Sequence, residues 1–225
     1  MRLYLMRHGR AASRADWTAA DAERPLTDEG RARTASAAHG LAALEVAPAA
    51  AIASPYVRAR ETAAIVAAEL GMPLELEAGL EPGADLAALA SVLTAHADAA
   101  ELLMVGHEPD LSTLVGELIA GRRGAQIEMK KGACACVDLP ASAVRKASGA
   151  AERLVGAGTL RWLLTASQLA RLGAPASTTR AGGGDAQHGE PDAGDGPPTS
   201  NRSAPSASHR SRPRRSAAGG DTNSQ

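Results

Sequence analysis

Leu102-Leu103-Met104-Val105-Gly106-His107-Glu108-Pro109 is the stretch from which the fold is read. An unbroken apolar run is what a β-strand shows when helices cover both of its faces; a strand with one wet face alternates instead. Pro109 then opens a helix to about Ala120, because proline suits a first helical position. Upstream, strand and helix alternate. Arg2–Met6 reads as the first strand, and Thr27 caps a helix from Asp28 to about Glu45 with Asp28 and Glu29 in its first turn. Ala49–Ala53 is a second strand, after which Ser54-Pro55 start a helix to about Leu70 that Gly71 closes. Pro73–Glu77 is a weaker strand, and Asp85–His96 a helix with Leu86, Leu89 and Leu93 on one face. Downstream, Gln126–Lys130 and Ala133–Leu139 read as a hairpin turning at Lys131-Gly132, followed by a strand Thr159–Leu164 and a helix Ala166–Leu172. The alternation predicts an α/β protein, a three-layer αβα sandwich with a mostly parallel central sheet.

Composition bounds the function. Of 225 residues 44% are hydrophobic but only 2% aromatic, with no Phe, so the core is built from Ala, Leu, Val and Ile. A formal net charge of −1 gives no broad basic field for nucleic acid. Two cysteines make no disulfide framework. No apolar run approaches the ~20 residues that span a bilayer, and Met1–Gly9 has no long apolar core or small-residue cleavage site of a signal peptide. The expected location is the cytoplasm. The composition breaks at Gly173: from Ala174 to Gln225 there is no Leu, Ile, Val, Met, Phe, Trp or Tyr. Such a segment buries too little apolar surface to offset its chain entropy. The expected organisation is a folded domain over residues 1–172 and a disordered Gly/Ser/Pro/Arg-rich tail over 173–225. Arg202, Arg210, Arg212, Arg214 and Arg215 make the end of that tail basic. A solvated tail is the plain reading, and weak contact with nucleic acid or another polyanion the alternative.

In open α/β sheets, ligands bind beyond the carboxyl ends of the strands, where strand order switches. Three such ends here carry polar residues. The first is Arg7-His8-Gly9: a planar fork of donors suited to phosphate, an imidazole able to attack phosphorus, and a glycine that leaves room for the turn and a ligand. The second is Ser54-Pro55-Tyr56-Val57-Arg58-Ala59-Arg60-Glu61-Thr62, a helix start favourable to an anion. Arg58 and Arg60 sit roughly 200° apart around that helix, so only one can face the site, and spacing does not choose between them; Thr62 shares the face of Arg58. The third is Gly106-His107-Glu108. Each of these has a plain structural reading by itself, but two histidines and an arginine or more on one rim describe a pocket for a tetrahedral dianion.

These blocks, Arg7-His8-Gly9, Ser54–Ala63 and Gly106-His107-Glu108, resemble the histidine phosphatase superfamily, whose fold is phosphoglycerate mutase-like. The small size, Asp21…Arg24-Pro25-Leu26-Thr27…Gly30, Gly106-His107-Glu108-Pro109 and Leu160-Arg161-Trp162-Leu163-Leu164-Thr165 are similar to its SixA-type phosphohistidine phosphatase branch. The resemblance spans about residues 1–172. It implies that His8 accepts the phosphoryl group, that Arg58 rather than Arg60 is a phosphate ligand, that His107 donates to the phosphoryl oxygens, and that Arg7 completes the pocket. It implies no metal and no cofactor. The spacing of His, Asp and Glu agrees, and Cys134 and Cys136 offer only two ligands and read as small buried residues. Family members acting on esters carry a glutamate after the third strand, where Glu81 stands in Gly79-Leu80-Glu81-Pro82-Gly83. An ester leaving group needs such an acid, whereas a departing imidazole, with a pKa of ~6.5, demands less. Glu108 suits capping at the helix start better than acid catalysis, and Asp21 and Arg24 are candidates for the mouth. Glu61 stands where SixA-like sequences often have Gln, a departure from that branch. Arg14 stands where the mutases usually carry Asn, and the long insertion of the mutases is missing, both of which argue against mutase activity.

The expectation is therefore a metal-independent phosphatase working through phospho-His8, with phosphohistidine in a protein as its substrate and phosphorylated protein as its partner. The alternatives are a phosphomonoesterase for small sugar or nucleotide phosphates and a non-catalytic phosphate-binding module. The second of these fits poorly, because a relic is expected to have lost one of Arg7, His8, Arg58 and His107.

Overall fold

The run Leu102–Val105 lies in the interior of a six-stranded sheet of order β3-β2-β4-β1-β5-β6. The computed structural model describes residues 1–121, 125–144 and 150–175; from residue 176 onward, the expected disordered tail lies outside them. In chain order the elements are β1 (Arg2–Arg7), a 3-10 turn (Asp21–Glu23), α1 (Asp28–Ala43), β2 (Ala51–Ala53), α2 (Val57–Leu70), β3 (Leu74–Leu76), a second 3-10 turn (Ala78–Leu80), α3 (Leu86–Ala95), β4 (Glu101–Gly106), α4 (Asp110–Ala120), β5 (Cys134–Asp138), α5 (Ala141–Val144), α6 (Ala150–Leu154), β6 (Thr159–Leu164) and α7 (Ala166–Leu172).

The strands β3, β2, β4 and β1 run parallel, and β5 and β6 are antiparallel. Because strand side chains alternate between faces, each strand feeds two cores. Leu3, Leu5, Ile52, Leu102 and Met104 pack with the buried residues of α3 and α4. Tyr4, Met6, Ala51, Ala53, Leu103 and Val105 pack with those of α1, α2 and α7. This is the three-layer αβα arrangement. The second core is rich in alanine, which lets helices approach closely: a Cβ at Gly40 of α1 would collide with the Leu169 carbonyl of α7.

The helix ends follow local chemistry. Thr27 Oγ1 accepts from the Gly30 N–H at 3.0 Å, Asp85 accepts from Ala87 and Ala88 at 3.0 and 2.9 Å, and Thr165 and Gln168 form a reciprocal capping box. Gly71 closes α2 in the left-handed conformation at φ 68°.

Two expectations are corrected. Residues 126–130 are not a strand, and no hairpin forms at Lys131-Gly132. β5 has β1 on one side and β6 on the other, so neither of its edges is left for a hairpin partner. The turn itself is real: Gly132 has φ +74°, and its N–H donates to the carbonyls of both Arg7 and His8 at 3.2 Å. α2 begins at Val57 with Tyr56 at its N-cap, rather than at Pro55, and the Ser54 hydroxyl both accepts from the Tyr56 N–H at 3.3 Å and meets a histidine. Cys134 and Cys136 are buried free thiols. Among the described residues no helix is long and apolar enough to cross a membrane.

Candidate active site

Strand order switches between β4 and β1, where the chain leaves toward β2 and β3 before returning. Main-chain bonds align the three strand ends there. The His8 N–H donates to the Gly106 carbonyl and the Ser54 N–H to the Val105 carbonyl, both at 3.1 Å. His8, Arg58 and His107 are consequently buried on one rim, with 6%, 4% and 3% of their surface exposed. The two imidazole rings lie 5.3 Å apart, centroid to centroid.

The turn after β1 is held by α2. The Gly9 N–H donates to Thr62 Oγ1 at 2.9 Å, and that hydroxyl donates to the Arg58 carbonyl at 2.7 Å. Position 9 must be glycine, since a Cβ would sit 2.6 Å from Thr34 Oγ1. Of the two arginines that spacing left open, Arg58 is buried and Arg60 exposed.

The hydrogen bond of His8 decides which of its nitrogens is free. Nδ1 lies 2.8 Å from the Gly9 carbonyl, which can only accept, so Nδ1 carries the proton and Nε2 of the neutral ring keeps its lone pair. His107 Nε2 is 2.8 Å from the Ser54 hydroxyl, while its Nδ1 is buried without a partner, as are Arg7 Nε and Arg58 Nε. Buried polar atoms are normally paired; these three nitrogens are exceptions, as is Glu108 Oε1. Arg7 is anchored by donating to the Met129 carbonyl at 2.8 Å.

Arg58 is itself clamped. It donates to the Asp21 carbonyl at 2.7 Å and to Asp21 Oδ2 at 3.0 Å, and its guanidinium carbon lies 4.9 Å from the centre of the Tyr56 ring. Tyr56 in turn presents an edge-on contact to His107 at 5.1 Å. Arg24 holds the other Asp21 oxygen at 3.0 Å. Burial pushes the Asp21 carboxyl up, but Arg58 and Arg24 outweigh it and hold it below the usual carboxylate range. The sequence pointed to Asp21 and Arg24 at the mouth, but not to the clamp on Arg58, nor to Ser54, Thr62 and Tyr56 as supports. A carboxylate thirty-seven residues from its arginine leaves no spacing signal.

Glu81 ends the 3-10 turn after β3, and its carboxyl has no hydrogen-bond or ion-pair partner among the described residues. Glu108 accepts from the Ser112 hydroxyl of α4 at 2.7 Å, as suits a residue at a helix start, and its charge also favours the cation of Arg7. Among the described residues no group of three or more His, Cys, Asp or Glu is placed to hold a metal ion.

Burial lowers the pKa of His8 to about 3, with His107, Arg58 and Arg7 adding to the shift against the Gly9 hydrogen bond. Burial, helped by Arg58 and opposed by Asp21, lowers that of His107 to about 4. Both rings are neutral at pH 7, which keeps the His8 Nε2 lone pair available. In the unfolded chain they protonate near pH ~6.5, so the unfolded state binds more protons below that value. Stability of the free protein is expected to be independent of these groups above pH ~6.5 and to fall below it by about 1.4 kcal/mol per pH unit for each imidazole, until their folded pKa values are reached. Urea unfolding at pH 7 and pH 5 measures this. Saturating phosphate should flatten the slope, because a bound dianion favours the imidazolium.

A family model for the histidine phosphatase superfamily (branch 1) matches residues 3–82. An uncharacterised protein of Picosynechococcus is 37% identical over 167 residues, which cover 73% of this chain and 99% of that protein. The phosphohistidine phosphatase SixA of Escherichia coli is 33% identical over 125 residues, covering 54% of this chain and 76% of the relative. Among solved structures, the protein histidine phosphatase SixA complexed with tungstate superposes with a TM-score of 0.63 at 29% identity, covering 75% of this chain and 99% of that one. With its RHG turn, its buried arginine and its second histidine meeting on one rim of a sheet shared with these relatives, the chain belongs to the histidine phosphatase superfamily and is a SixA-like phosphatase, a hydrolase.

Proposed function

We propose that this phosphatase removes the phosphoryl group from phosphohistidine in a protein, with His8 as nucleophile and Arg7, Arg58 and His107 as the cage for the phosphoryl oxygens. The observation that carries the reading is the tautomer of His8: its Nδ1 proton is committed to the Gly9 carbonyl, so the Nε2 lone pair is the one available to phosphorus. In the first step Nε2 bonds to phosphorus while the substrate P–N bond breaks; the substrate ring, protonated on its other nitrogen, takes the bonding pair and departs as a neutral imidazole. In the second, water attacks the phospho-His8, the P–Nε2 bond breaks, and phosphate leaves with the ring neutral again. Phosphoryl transfer asks mainly for alignment and charge neutralisation, and preorganised cationic and N–H donors supply both. In this reading the Arg7 and Arg58 guanidinium groups and the His107 imidazole supply these donors. The likeness to the SixA relative supports the choice of substrate, and an imidazole leaving group needs little acid help.

The test compares rates on a phosphohistidine peptide and on sugar phosphates for the wild type and Glu81→Gln. The expected result is fast hydrolysis of the peptide, unchanged in the variant, with esters slow. Ester hydrolysis that dominates and collapses in Glu81→Gln would make the chain a phosphomonoesterase with Glu81 as its acid.

A further inference from the structure

A groove of about 630 Å³ lies between α1 and α7, floored by the turn that precedes β5. Its lining includes Arg33, Lys130, Lys131 and Arg171 and no carboxylate. Two of these cations are matched from outside the groove, Arg33 by Glu29 at 3.4 Å and Lys130 by the exposed Glu128 at 3.9 Å. Lys131 and Arg171 have no carboxylate partner among the described residues. The side chain of Arg171 folds back only to donate to the Ser167 carbonyl. Alanines complete the wall, Ala32 from α1 and Ala166 from α7, so the groove pairs apolar walls with unmatched positive charge.

Its position gives it meaning. Lys131 is followed directly by Gly132, whose N–H holds the carbonyls of Arg7 and His8. The lysine therefore stands at the junction between groove and phosphoryl cage. The ammonium group feels partial burial together with the charges of Arg7, Arg24 and Arg10. A polypeptide whose phosphorylated residue sits in the cage must lay its flanking residues on the surface around it, and this groove adjoins the cage through Lys131 and Gly132. Unmatched cations favour anionic partners and discourage cationic ones.

We propose that this groove is a docking site for an acidic segment of the phosphoprotein substrate, seated while its phosphohistidine occupies the cage of Arg7, His8, Arg58 and His107. The inference rests on the phosphohistidine reading and adds to it the sequence character of the substrate.

The test uses full-length protein and four fluorescent peptides with one central histidine: glutamate-flanked or serine/glycine-flanked, each with and without a chemically added phosphoryl group. For the wild type, kcat/KM on the glutamate-flanked phosphopeptide should exceed that on the neutral one by about tenfold, carried by KM, and the ratio should fall toward one in Lys131→Gln/Arg171→Gln and at high salt. Arg171→Glu should shift preference toward a lysine-flanked phosphopeptide, a reversal that a purely structural role would not produce. Equal rates on both phosphopeptides in the wild type, or a preference unaffected by the double variant, would overturn the docking site. The unphosphorylated glutamate peptide, followed by anisotropy, separates the two readings. If it binds the wild type and not the double variant while no phosphopeptide is hydrolysed, the groove stands and the phosphohistidine function falls. A single-stranded oligonucleotide of equal charge that binds more tightly than the peptide would assign the groove to nucleic acid and also overturn the proposal.

Discussion

His8→Ala is expected to reduce hydrolysis of every phospho-substrate by about 10⁴-fold or more, as loss of a covalent nucleophile does elsewhere. Wild-type enzyme mixed with labelled substrate and quenched in alkaline detergent should carry label that is lost on mild acid incubation, the signature of a phosphoramidate; the variant should carry none. The fold should survive, because His8 contributes one side-chain hydrogen bond, to its neighbour's carbonyl, and the strand end is held by main-chain bonds. Removing a neutral buried imidazole also removes one source of acid lability, so His8→Ala should lose less stability between pH 7 and pH 5 than the wild type. A variant that retained wild-type turnover would end the covalent reading.

Arg58→Ala should cost about 10³-fold in kcat/KM, the scale on which a cation facing the transferring phosphoryl group acts. Arg60→Ala, two residues on and exposed, should leave the rate within a factor of two or so, as an ordinary surface change does. The pair is a sharp comparison, since both side chains have the same charge and come from the same turn of α2. Arg58→Lys should recover little: a point charge cannot reproduce a fork that holds Asp21 through two nitrogens and still offers a third. Steady-state rates on one substrate for the three variants decide it; equal losses at positions 58 and 60 would remove Arg58 from the cage.

The fold was legible because the strands obey a simple rule. Leu102–Val105 is apolar throughout, and the structure covers it with helices on both sides. The hairpin failed for the complementary reason. Lys131-Gly132 is a genuine turn, but which strand pairs with Ala133–Leu139 is a long-range matter, and β1 and β6 occupy both edges of β5. In the site, Arg7, His8 and His107 stand out as polar residues at strand ends, whereas spacing left Arg58 and Arg60 open and only the family resemblance chose Arg58. Their supports do not stand out. Ser54 accepts from the Tyr56 N–H ahead of α2, as its place before Pro55 suggests, but its contact with His107 at 2.8 Å has no signal in the chain. Tyr56 is half-buried beside both Arg58 and His107, and nothing in its neighbours along the chain marks it. Asp21 reaches Arg58 from a different loop altogether.

That last contact has a bearing on selectivity among the anions of a crowded solution. A guanidinium already shared with a carboxylate has part of its attraction committed, so a singly charged visitor such as chloride or acetate gains less there than at a bare arginine, and must compete with a tethered rival for it. In the proposed cage a doubly charged tetrahedral visitor would reach further, because Arg7 and the second histidine would share its oxygens. The same competition would act on the inorganic product, loosening the hold of Arg58 on it.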